Sequence, residues 1–107
     1  MVTFSTEMEQ RIHVLLSIQK ALLGNIFPSL RGITVAYKNA PTIHIKCYLD
    51  KIISDEDRET IEVFYTEVTS DFSQEYKFIF ETERIDFPVK LVILDEWVYL
   101  RKEINMV

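Results

Sequence analysis

Ser54–Phe72, SDEDRETIEVFYTEVTSDF, is the stretch on which the fold turns. Ser54 stands three residues before Asp57, the spacing of a capping box: the hydroxyl accepts from a free amide of the first turn while the carboxylate faces back toward the cap. Asp55, Glu56, Asp57 and Glu59 sit at the positive end of the helix dipole, each contributing a few tenths to about 1 kcal/mol. Ile61, Phe64, Tyr65, Val68 and Phe72 recur at helical spacing and share one face, which must bury itself in a core. Opposite lie Asp55, Glu56, Glu59, Glu62 and Glu67, with Val63 pointing out among them. The stretch holds seven acids and one base, a local charge of −6 where the whole chain carries −5. The acidity of the chain is therefore concentrated here. Two readings follow from this face: a solvated helix surface, or a docking surface on which clustered carboxylates orient a basic partner and Val63 supplies a small dry contact.

The size and mix of the chain, 107 residues at 48% hydrophobic and 27% charged, suit one globular domain over 1–107 with its own core. An acidic balance argues against direct binding of nucleic acid, which requires clustered lysine and arginine; a charged partner is expected to be basic. The single Cys47 excludes an internal disulfide and a thiolate zinc site, which fits a reducing compartment, and the cytoplasm is the expected location. Val14–Leu23 is apolar but broken by Ser17, Gln19 and Lys20, so neither a signal peptide nor a membrane span is expected.

Working outward, Thr6 with Glu9 forms a second capping box, opening a helix to about Leu23 that ends where Gly24 and Asn25 supply a left-handed cap. Met8, Ile12, Leu15, Leu16 and Leu23 line its main face, yet Val14, Ile18 and Ala21 lie nearly opposite. The expectation is burial on two sides, with contact to a partner as the alternative. Asn25–Gly32 reads as a loop, and Ile33–Tyr37 and Thr42–Leu49 alternate at period two across Lys38–Pro41, an antiparallel hairpin. On the second strand Ile43, Ile45, Cys47 and Leu49 face the core while His44, Lys46 and Tyr48 face an open side. Gln74–Glu83 is a third strand with Tyr76, Phe78 and Phe80 on one side, and its expected partner is Trp97–Arg101. Ile85–Glu96 resists assignment beyond a turn at Asp86–Pro88, and fraying is expected from Lys102 onward. The order helix, strand, strand, helix, strand, strand gives an α+β fold, two helices packed on one face of a largely antiparallel four-stranded sheet.

Catalytic chemistry finds little support. Cys47 alternates with isoleucines on a core side, where a thiol is buried and inert. His13 and His44 have no further histidine or cysteine at metal-ligand spacing, so neither metal nor cofactor is expected. The carboxylates of the acidic helix look wet, whereas a general acid needs desolvation, and two glycines cannot build a phosphate cradle. No enzymatic activity is expected. The open sheet side, with Tyr48, His44, Lys46 and either Trp97 or Tyr99, offers a second contact surface or merely shields the sheet backbone.

Taken together, EQRIHVLLSIQKALLG (9–24), IHIKCYLD (43–50), SDEDRETIEVFYTEV (54–68) and WVYLRKE (97–103) resemble small bacterial immunity proteins of contact-dependent growth inhibition and related polymorphic toxin systems. The resemblance runs over nearly the whole chain. It implies a small acidic cytoplasmic protein that binds a cognate toxin domain, often an RNase acting on transfer RNA, and blocks its active site or access to substrate. It implies no residue roles. From the face reading alone, Asp55, Glu56, Glu59, Glu62 and Glu67 are expected to pair with basic toxin residues, with Val63 and Tyr48 as buried anchors. The rival is a small adaptor or dimeric subunit of a cytoplasmic complex, a homodimer using the open sheet or the second apolar face of helix one.

Overall fold

The computed structural model describes residues 6–103, which form α1 (Glu7–Leu22), β1 (Leu30–Ala36), β2 (Thr42–Leu49), α2 (Asp55–Ser70), β3 (Lys77–Arg84) and β4 (Glu96–Leu100). Both helices start at the hydroxyl that the sequence offers. Thr6 accepts from the Glu9 amide at 3.0 Å and donates to the Glu9 carboxylate at 3.1 Å, and Ser54 accepts from the Asp57 amide at 3.0 Å. Gly24, at φ +78°, turns the chain away after α1, a conformation that a side chain would resist.

The sheet has the order β3-β2-β1-β4. β1 pairs antiparallel with β2 and with β4, whereas β2 and β3 run parallel. This corrects two expectations: the sheet is mixed, and β3 and β4 occupy opposite edges instead of pairing. The cause is α2, a helical crossover long enough to return the chain to the end of the sheet from which β2 began, so the next strand starts in the same direction. The chain then reaches the far edge by laying residues 85–95 across the other face of the sheet.

That crossing closes part of a face expected to be open. The Tyr48 hydroxyl donates to the Val92 carbonyl at 2.7 Å, and Tyr48 is 1% exposed. Thr34, fully buried, donates to the Glu96 carbonyl at 2.7 Å and accepts from the Leu94 amide at 2.9 Å, so its hydroxyl secures the start of β4 beside the register shift opposite Ile33 and Thr34. At the start of the crossing, the buried Arg31 guanidinium donates to the Ile85 and Val89 carbonyls at 2.6 and 2.9 Å and to both Glu103 oxygens at 2.7 and 2.9 Å. Arg101 joins Glu103 at 2.8 Å and Asp50 at 2.9 Å. Glu103 is thereby tied to the sheet, against the expected fraying from Lys102; residues beyond it lie outside those described.

The helical face carries the core. Ile61, Phe64 and Val68 of α2 meet Ile43, Ile45, Cys47 and Leu49 of β2, as the alternation implies, and Phe78 and Phe80 pack beside them. Tyr65 stacks on Phe80 at a centroid distance of 3.9 Å, and Phe72 lies 5.2 Å from Phe78. These ring contacts fix the rotation of α2 about its own axis. Helix α1 is oriented differently from expectation. Val14, Ser17, Ile18, Ala21 and Leu22 face the core, while Met8, Ile12, Leu16 and Leu23 are exposed and only Leu15 of the supposed main face packs against the core. Polar contacts set this phase: Gln10 donates to the Tyr37 carbonyl at 2.7 Å, and Arg11 grips Glu96 with bonds of 2.5 and 2.7 Å. Small and β-branched side chains on the buried side let the helix approach the sheet closely.

Candidate functional site

With Ile61, Phe64 and Val68 held in the core, the helical repeat turns Asp55, Glu56, Glu59, Glu62, Val63 and Glu67 outward, and all six are exposed. From Asp55 to Glu67 they run along roughly 18 Å of helix. Glu59, Glu62, Val63, Thr66 and Glu67 line a shallow depression on the outer surface. Val63, 44% exposed, is its apolar member. Thr60 and Thr66 donate their hydroxyls to the carbonyls of Glu56 and Glu62, each at 3.0 Å, so those side chains are turned onto the backbone. The carboxylates are left as the outward polar groups.

Seven other acids are held differently. Asp50, Asp71, Glu81, Glu83, Asp86, Glu96 and Glu103 each sit within an ion pair. Their chemistry shows the effect: Arg11 and the Tyr37 hydroxyl hold the Glu96 carboxyl down to about 2, and Arg84 holds Asp86 well below the usual carboxylate range. Among the described residues, Asp55, Glu56, Glu59 and Glu62 take part in none of the ion pairs, and Glu67 meets only the Asn25 amide at 3.5 Å. The outer face of α2 therefore carries charge that the protein does not neutralise internally.

Tyr48 does not join this face. It lies on the other side of the sheet beneath Val92, with Trp97 6.1 Å away and the Lys46 ammonium 5.0 Å above its ring. Its expected role as a surface anchor is corrected by that burial; the signal that hides it is the apolar VKLVIL run, which covers the sheet. His44 and Lys46 are likewise engaged, His44 at 2.8 Å from Glu81 and Lys46 at 2.6 Å from Glu83. His13 lies 3.1 Å from the Asp71 carbonyl with its ring edge-on to Phe72. Cys47 is buried, its thiol pushed up to about 12 by desolvation. Among the described residues no group of three or more His, Cys, Asp and Glu side chains is placed to hold a metal ion. No helix there is long and apolar enough to cross a membrane.

An α+β scaffold that leaves a row of carboxylates exposed along one helical face is equipped to meet another protein by its surface. Residues 11–103 match the MafI2 immunity protein family, and the chain belongs to that family. It is an immunity protein, and its partner is a cognate toxin protein. No curated protein matches the chain by sequence.

Proposed function

We propose that this immunity protein, acting as one domain in the cytoplasm, neutralises a basic nuclease toxin, an RNase of the kind that attacks transfer RNA, by docking the outer face of α2 onto it. The observation that carries the reading is the row of exposed carboxylates, Asp55, Glu56, Glu59 and Glu62, without an ion pair among the described residues. A nuclease must hold phosphates and is basic where it does so, and an acidic helix is the electrostatic complement of such a surface. The carboxylates raise the rate of productive encounter, while Val63 and the depression around it exclude water at the centre of contact. Inhibition follows when the helix occupies the phosphate-binding ground of the toxin. Blocking needs no catalytic group on this chain.

The test is the double variant Glu59→Lys/Glu62→Lys against the cognate toxin domain. The association rate falls about tenfold or more at low salt, and its dependence on ionic strength flattens. An unchanged rate with unchanged salt dependence removes α2 as the docking face.

A further inference from the structure

The side of α1 turned to solvent carries Met8, Ile12, Leu16 and Leu23, exposed by 60, 47, 57 and 78%. Met8, Ile12 and Leu16 follow one another at four-residue spacing, and Leu23 continues the same stripe, an apolar ridge of roughly 22 Å. Core packing does not account for it, since Val14, Ile18 and Ala21 supply the contacts of this helix with the sheet. Exposed apolar rows of this length mark contact surfaces more often than open solvent.

The position of the ridge says what covers it. Its C-terminal end abuts α2: Lys20 reaches Asp71 at 3.5 Å, and Asn25, two residues past Leu23, reaches Glu67, itself part of the acidic face, at 3.5 Å. Ridge and carboxylates thus adjoin on the helical layer of the fold. A second copy of this chain set symmetrically on that layer would bring two acidic faces to the rim of one contact, and like charges oppose such an arrangement. A basic protein with an apolar row of its own satisfies both halves. We infer that the cognate toxin seats an apolar row on Met8, Ile12, Leu16 and Leu23 while its basic residues meet α2, so that the interface has an apolar anchor on one helix and a charged guide on the other. This inference rests on the toxin-docking reading above.

The two halves have different kinetic signatures, because charges act mainly on association and buried apolar anchors mainly on dissociation. Ile12→Gln/Leu16→Gln keeps helix propensity and leaves the core untouched, so the circular dichroism spectrum is retained. With the cognate toxin domain immobilised, this variant dissociates at least about tenfold faster and associates within a factor of about two of the parent rate. An unchanged dissociation rate overturns the inference; if Glu59→Lys/Glu62→Lys still slows association, the acidic docking face stands without the ridge. Loss through Ile12→Gln/Leu16→Gln with no effect of the charge reversals supports the ridge and removes α2. Sedimentation of the protein alone is the second readout. A monomer is expected, and a dimer that Ile12→Gln/Leu16→Gln dissolves overturns the inference by giving the ridge to a second copy.

Discussion

Replacing Arg31 by Met keeps the aliphatic stem that packs in the sheet and removes a guanidinium that is almost wholly buried, with a side-chain exposure of 3%. Four hydrogen bonds go with it, two to Glu103 and one each to the Ile85 and Val89 carbonyls. Removing one partner of a buried ion pair costs about 3–5 kcal/mol when the other is left alone. Here Glu103 is 22% exposed and keeps the Arg101 bond at 2.8 Å. The expected loss is therefore lower, about 2–4 kcal/mol, or roughly 10–20 °C in midpoint temperature for a chain of this size. Urea unfolding followed by the fluorescence of Trp97 measures it, since Trp97 is the single tryptophan and lines the groove beside Arg31. Glu103→Gln, which retains an acceptor oxygen, is expected to lose less. A loss for Arg31→Met below about 0.5 kcal/mol, the range of ordinary surface changes, would refute the view that this cation ties the crossing segment and the chain end to the sheet.

Other perturbations test neighbouring parts of the fold. A methyl group at Gly32 would lie 3.1 Å from Trp97 and 3.2 Å from Leu100, so Gly32→Ala is expected to cost about 1–3 kcal/mol through overpacking, read from the urea midpoint. Glu96 has its carboxyl depressed to about 2 in the folded state, so the stability it contributes is present above the ordinary carboxylate range and is lost as pH falls toward that value. Glu96→Gln is expected to flatten the acid loss of stability between roughly pH 4 and 2, measured by unfolding midpoints across that range. Cys47, buried with its thiol pushed up to about 12, is expected to resist a thiol-reactive disulfide reagent in the native protein and to react on unfolding. Prompt native reaction would contradict its placement.

What the sequence revealed and what it hid differ in physical kind. Local chemistry was readable: Thr6 and Ser54 announce helix starts because a cap is a contact between residues three apart, and Thr42–Leu49 declares its faces by alternation. The acidic face of α2 followed from the same helical arithmetic, and the structure turns Asp55, Glu56, Glu59, Glu62, Val63 and Glu67 outward as that arithmetic requires. Strand pairing was misjudged because Trp97–Arg101, the next strand in sequence, was taken as the partner of Gln74–Glu83, whereas the helix between β2 and β3 is itself the mark of a crossover to a parallel neighbour. The orientation of α1 could not be settled by counting apolar residues on its two sides. It depends on where Gln10 and Arg11 find Tyr37 and Glu96, contacts made 27 and 85 residues along the chain. Tyr48 was misplaced for a related reason: its cover comes from Val92, forty-four residues away and irregular in backbone. The Arg31 cluster went unseen because a lone cation at the head of a strand gives no sign of a buried role until Glu103 and the two carbonyls are brought to it.

Immunity is tested most directly by the survival of cells that express the C-terminal domain of the gene immediately upstream, counted as colonies with and without this protein. Killing by the domain alone and rescue when the two are made together are expected. Equal killing in the presence of the protein, or a domain that harms no cell, would contradict an immunity role.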